Sequence, residues 1–385
     1  MKRLSSCVVA GLVALAGATG ASARTIELIG VTHSGYQVSR LDPVSLQMAG
    51  PPLQLDESGF PPIGYERSPD GEHFAFASGE TAEVQVFDSL SNGAQAKIPT
   101  PAGNGPLAWL TPSRLLTMNT RSTTVTILDP LAGTVVKTVR IGGRPIASTV
   151  VGDQLALVRD PGSKRAVVTF LSAAGRKTVV PLKELVIGKR FGHLDADVLA
   201  VGSKLVVQPS NRNDVALVDA KTKKVRIGTV AKQPRHHLID LHSSTTFGEQ
   251  FGTYTNLGER KVRALRLKNL KPAKVQPPVG YVAPLPVGFF QRTYLPGPQP
   301  VFTGVDRAGE QIWQNSAIPQ LGPESRVEVV DGTIYAVLAG ADNTYVVGAY
   351  SGATGEEMAR STAKGDILVQ PDRGAANPDL PRGGR

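Results

Sequence analysis

The chain has 385 residues, 41% hydrophobic and only 5% aromatic, with 42 Lys and Arg against 32 Asp and Glu for a net charge of +10. Its single cysteine, Cys7, lies in a leading segment expected to be removed, which excludes a disulfide, a thiolate nucleophile, a cysteine-ligated metal and a covalently attached c-type haem from the mature chain. Stability must then come from a large hydrophobic core, which about 360 residues can build as two domains or as one closed β architecture.

At the start, Met1-Lys2-Arg3, an apolar stretch from Val8 to Ala18 and Ala21-Ser22-Ala23 follow the basic, apolar and small-residue order of a secretory signal peptide. Residues 1–23 are therefore expected to be cleaved. The stretch is shorter than the ~18 apolar residues of a membrane span, and no later segment reaches that length. A mature chain without a transmembrane segment, periplasmic or secreted and monomeric, is the expectation.

From there one motif recurs: an alternating apolar strand ending in Asp or another small polar residue, a short turn, then a second strand. It reads YQVSRLDPVSLQ around Asp42, VQVFDSLSNGAQAKI around Asp88 and VTILDPLAGTVVKTVRI around Asp129. Weaker copies surround Ser172, Asp219, Asn269, Asp306 and Ser351. The marks recur about every 44 residues, the period of a four-stranded propeller blade. Two further strand signals separate most marks, as in RPIASTVVGDQLALVRD and HLDADVLAVGSKLVVQP. No stretch has the period of a long helix, and 41 Gly with 29 Pro supply the turns that many short strands require.

The pattern predicts an all-β chain, a single β-propeller over residues 24–369 with about eight four-stranded blades. Phe247 to Thr255 and Phe289 to Gln299 break the spacing, so seven blades stay open beside eight. The first repeat lacks an inner strand, which Asp366 to Val369 could supply from the other end of the chain to close the ring. Residues 370–385, QPDRGAANPDLPRGGR, have the composition of a disordered tail.

The best copies resemble the YVTN family of β-propeller repeats, in which a V-x-V-I-D-x-x-T-G-x-V strand pair leads to a proline and then to S-P-D-G between the next two strands. Thr124 to Arg159 carries the first part, and Ser68-Pro69-Asp70-Gly71 followed by EHFAFAS carries the second. The resemblance implies the propeller fold, which serves binding platforms, scaffolds and enzymes alike.

Charge is the clearest functional signal. Lys164 to Lys274 holds 22 Lys and Arg against 8 Asp and Glu, a net of +14 in a chain of net +10. In a ring of successive blades this makes a basic sector of blades four to six. Such a sector attracts an anionic partner such as envelope lipid, polysaccharide or an acidic protein. Nucleic acid is disfavoured, because the basic runs lack interleaved aromatics for base stacking. A competing reading is edge protection: RKTVVPLK, KTKKVRIGTVAK and NLKPAK fall on expected outermost strands, where lysine discourages edge pairing.

Histidine is scarce and clustered, with four of six in His193, His236, His237 and His242. In the segment from Arg235 to His242, strand alternation puts His236, Asp240 and His242 on one face and His237 on the other. His193, Asp195 and Asp197 share a parity as well. If both segments meet at the funnel mouth, Arg235, His236, His237, Asp240, His242, His193 and Asp195 could contact a ligand, with His236, Asp240 and His242 holding a divalent metal or acting as acid and base. Polar lining of a wet channel explains the same residues, since no established metal spacing is present. Tyr65-Glu66-Arg67, on the second inner strand, is expected to be packed or to line the channel.

There is no G-x-S-x-G elbow, no H-E-x-x-H, no phosphate-binding Walker loop and no dinucleotide fingerprint. The reading favoured by these features is an exported, non-catalytic binding or scaffold propeller that requires no cofactor, with contacts at the funnel mouth and on the basic sector. The alternative is an enzyme, either a lactonase-like hydrolase or a metal-dependent enzyme built on His236, Asp240 and His242.

Overall fold

Segments that alternate aliphatic and polar residues can bury their apolar side only by pairing and then stacking, and this chain repeats such segments from end to end. In the computed structural model the described residues are 26–32, 35–55, 64–77, 82–88, 94–100, 107–118, 123–160, 165–186, 188–190, 193–209, 214–229, 242–246, 249–256, 261–266, 269–274, 281–285, 288–293, 301–316, 327–330, 332–339, 345–362 and 367–369. They contain strands, turns and bends but no helix. The fold is all-β, and the described strands form eight antiparallel sheets.

The first sheet is made from both ends of the chain. β1 (Ile26–Thr32) pairs with β2 (Gly35–Leu41), β2 with β3 (Leu53–Leu55), and β33 (Ile367–Val369) adds to β1 with Ile29 opposite Ile367 and Glu27 opposite Val369. The C-terminal strand thus supplies the inner strand that the first repeat lacks. The second sheet runs β4 (Gly64–Arg67), β5 (His73–Ala77), β6 (Glu83–Asp88), β7 (Ala94–Pro99), and the third β8 (Leu107–Thr111), β9 (Arg114–Met118), β10 (Thr124–Asp129), β11 (Thr134–Arg140). The fourth runs β12 (Arg144–Val151), β13 (Gln154–Asp160), β14 (Arg165–Ser172), β15 (Lys177–Val186).

The fifth sheet departs from four strands. Ahead of β17 (His193–Val201), β18 (Lys204–Pro209), β19 (Asp214–Asp219) and β20 (Val225–Thr229) lies a short β16 (Gly188–Arg190). It pairs with the first residues of β17, Arg190 opposite His193 and Gly188 opposite Asp195, while β18 pairs with the rest. The sixth sheet spans β21 (His242–Thr246), β22 (Glu249–Asn256), β23 (Lys261–Arg266) and β24 (Lys271–Pro272). The seventh comprises β25 (Tyr281–Pro284), β26 (Phe289–Thr293), β27 (Val301–Val305) and β28 (Gln311–Asn315), and the eighth β29 (Val327–Val330), β30 (Thr333–Ala339), β31 (Tyr345–Ser351) and β32 (Glu357–Arg360). The three lysine-rich runs end up on β15, β20 and β24, each the last strand of its sheet.

The repeat marks have a common physical role. Each sits at or just beyond the end of the strand before the outermost one, and the side-chain oxygens of Asp42, Asp129, Ser172, Asp219, Asn269, Asp306 and Ser351 accept backbone N–H groups of the turn that follows. Asp219 accepts from Lys221 at 3.0 Å and Thr222 at 2.7 Å, and Asp306 from Ala308 at 2.8 Å and Glu310 at 2.9 Å. Short polar side chains are the ones able to satisfy turn donors in this way, which is why the motif tolerates Ser and Asn in place of Asp. The Ser68-Pro69-Asp70-Gly71 turn joins β4 to β5 with Gly71 at φ 75° and the Ser68 hydroxyl accepting from the His73 N–H at 2.9 Å.

Between successive sheets lie apolar layers, which form the core. Ala75 and Val86 of the second sheet pack on Trp109 and Leu115 of the third, and Leu155 and Leu157 of the fourth on Leu116 and Ile127 of the third. Val158 and Phe170 face Val207 and Val218 of the fifth sheet, and Leu41 and Leu46 of the first sheet pack on Val337 and Val347 of the eighth. The Tyr335 hydroxyl donates to the Pro43 carbonyl at 2.9 Å across that last junction. Sheets that follow one another face to face and close end on beginning define a β-propeller, whose first strands surround the centre.

Candidate functional site

The first strands β12, β17 and β21 lie side by side, so their starting residues Arg144, His193 and His242 share one end of the ring. We call this end the mouth and the opposite end, where β12 turns into β13, the turn face. His193 and Asp195 lie at the start of β17 and His242 at the start of β21, and these two strands are neighbours. Arg235, His236, His237 and Asp240 lie outside the described residues. Glu66, on β4, has a definite place: paired with Ala75, it faces the third sheet within the apolar layer rather than the channel. It is 4% exposed, its Oε1 has no hydrogen-bond partner, and burial pushes its pKa well above the ordinary carboxylate range.

The turn face carries an open cleft of about 480 Å³ spanning sheets three to five. Thr111 at the end of β8, the Asp153-Gln154 turn of the fourth sheet and the two third-to-fourth-strand turns of sheets four and five line it. The sequence places three cations there, Arg176, Lys221 and Lys223, against one carboxylate, Asp153. Lys223 is the most constrained: its backbone is left-handed at φ 59°, its Nζ sits 3.8 Å from the centroid of the Phe170 ring, and it donates to Gln154 Oε1 at 2.9 Å and to the Ala220 carbonyl. Burial lowers its pKa, an effect countered by the charges of Asp153 and Asp219. The aromatic face under the ammonium favours its charged form, while Arg176 and Lys221 stand exposed at the rim of the cleft. A fixed cation flanked by two exposed ones is suited to holding an oxyanion-bearing group.

Sequence reasoning placed this sector's charge on outer strands and missed the cleft, because two turns 47 residues apart in the chain converge only once sheets four and five stack. It also missed Arg159. That residue occupies a position of β13 whose neighbours of the same parity, Leu155 and Leu157, are core, and it is only 7% exposed. A charged residue in phase with an apolar face was the available signal.

No known protein-family model matches the chain, and no curated protein matches it. Among solved structures it is similar to NirN, a dihydro-heme d1 dehydrogenase solved in complex with DHE, with a TM-score of 0.63 and 14% identity over 90% of this chain and 74% of that one. It is also similar to BamB from Moraxella catarrhalis, with a TM-score of 0.52 and 13% identity over 83% of this chain and 95% of that one. At these identities the likeness concerns the fold, which is that of the β-propellers.

Proposed function

We propose that the chain is an exported, non-catalytic β-propeller of YVTN-type repeats that serves as a binding or scaffold platform for an anionic partner in or beyond the periplasm. Its first 23 residues act as the export signal and its last 16 as a tail. The observation that carries the reading is the turn-face cleft, in which the basic sector gathers Arg176, Lys221 and Lys223 against Asp153 alone. The mild acidity of the remaining mature chain would orient an anionic partner towards this sector. Lysines on the outermost strands β15, β20 and β24 serve edge protection at the same time, since the two uses of positive charge do not compete.

Titration calorimetry with dextran sulfate tests it. Affinity is expected to fall at least tenfold between about 50 and about 200 mM salt, and to fall again in Arg176→Glu/Lys221→Glu. Salt-independent binding, or none, overturns the reading.

A second reading, a divalent-metal site or an enzyme at the mouth, is favoured by one observation: β17 and β21 are neighbours and both begin with histidine at the same end. Stoichiometric zinc or copper lost on His236→Ala/His242→Ala would move the assignment there.

A further inference from the structure

We propose that Arg159 forms an oxyanion site at the mouth, between sheets three and four, that takes a carboxylate or phosphoryl group of a ligand. The site lies at the sixth residue of β13, roughly 17 Å along the strand from the turn-face cleft, so it is independent of that cleft. Two neutral acceptors hold the guanidinium: its Nε donates to Thr169 Oγ1 at 2.7 Å and its Nη1 to the Gly142 carbonyl. Gly142 adopts φ 72° in the connection from β11 to β12, a left-handed backbone that glycine allows without strain. Thr169, fully buried, shares the face of Leu171 toward the third sheet.

Both acceptors are uncharged, and Arg159 makes no ion pair among the described residues. Asp160, the last residue of β13, is the acidic residue next to Arg159 in the chain. Arg144 and Arg165, both exposed, start their strands at this same end and add to the positive potential. A guanidinium taken out of water without a counter-charge loses much of its hydration, and the planar fork left after Nε and one Nη1 hydrogen are used matches two oxygens of a carboxylate or phosphate. The β12 bulge between Pro145 and Ala147 lies directly opposite, with Pro145 paired to Arg159, and bends the inner strand beside the fork.

The test uses the full chain, titrated with inorganic phosphate and separately with acetate at constant ionic strength, while the Arg159 Nε–H resonance is followed by NMR. Saturable binding that shifts this resonance is expected, weakened at least tenfold in Arg159→Lys, which keeps the charge but loses the fork. Tighter phosphate identifies a phosphoryl ligand and tighter acetate a carboxylate ligand. If neither anion binds the wild type saturably, or if binding leaves the Nε–H resonance unmoved, the proposal is overturned whether or not the lysine variant folds.

Discussion

Among the described residues, the two layers on either side of the third sheet each bury one charged side chain, Glu66 or Arg159, and treat it in opposite ways. In the layer shared with the second sheet, Glu66 stands among Ala75, Val86 and Trp109 with an unpartnered oxygen, and burial answers by raising its pKa, which favours the neutral acid. In the layer shared with the fourth sheet, Arg159 cannot shed its proton at any ordinary pH, and folding answers with Thr169 and the Gly142 carbonyl instead. The difference teaches that a propeller layer tolerates a polar group either by neutralising it or by giving it neutral acceptors near an open end. Only the second solution leaves a charge available for a ligand.

A layer with neither group among its described residues sets the scale for breaking this comparison. Between sheets seven and eight, the Trp313 indole lies against Gly304 and Gly355 and donates to the Gly352 carbonyl at 3.0 Å. Gly355 has φ 74°, and a Cβ there would overlap the ring, so Gly355→Ala should lower stability by about 3–4 kcal/mol in urea unfolding. Next comes Thr169→Val, which leaves the buried Arg159 Nε unpaired and should cost about 2–3 kcal/mol by the same assay.

Glu66→Leu should act in the other direction, raising stability by about 1–3 kcal/mol near pH 8 by removing an unsatisfied polar group. The sign follows from linkage. A carboxyl whose folded pKa is raised gives its full stability below the ordinary value of about 4.3 and loses it as pH rises towards the folded value. Wild-type stability should therefore decline with rising pH relative to Glu66→Leu, and parallel profiles would contradict the placement of Glu66.

The smallest effect belongs to the turn marks. Hydrogen bonds from the Ala132 N–H and Arg114 hold the Asp129 carboxyl below its ordinary range, so its contribution is present above about pH 3.9 and lost as pH falls through the lowered value. Because the carboxylate is partly exposed and its partner Arg114 is too, Asp129→Ala should cost about 1 kcal/mol or less, read as a shift in urea midpoint that vanishes in acid.

Much of this fold was legible in the sequence because each repeat carries its own local chemistry. A turn-capping Asp, Ser or Asn at the end of an alternating strand is a short-range signal, and the missing inner strand of the first repeat pointed to the C-terminal segment that fills it. The extra β16 was hidden, since Gly188-Lys189-Arg190 has neither alternation nor aliphatic content. The sites were harder to read. The cleft depends on turns from two sheets meeting, and Arg159 depends on which face of β13 is buried, and both are properties of stacking between sheets. The histidine segment was visible as composition, but composition fixes only where His193 and His242 start their strands.

Hydrogen exchange of the full chain with and without dextran sulfate tests the central claim most directly, that the basic sector presents its turn face to an anionic partner. Protection concentrated in residues 172–178 and 219–224, with sheets seven and eight unchanged, is the predicted result. Protection spread evenly around the ring, or confined to sheets seven and eight, would contradict it.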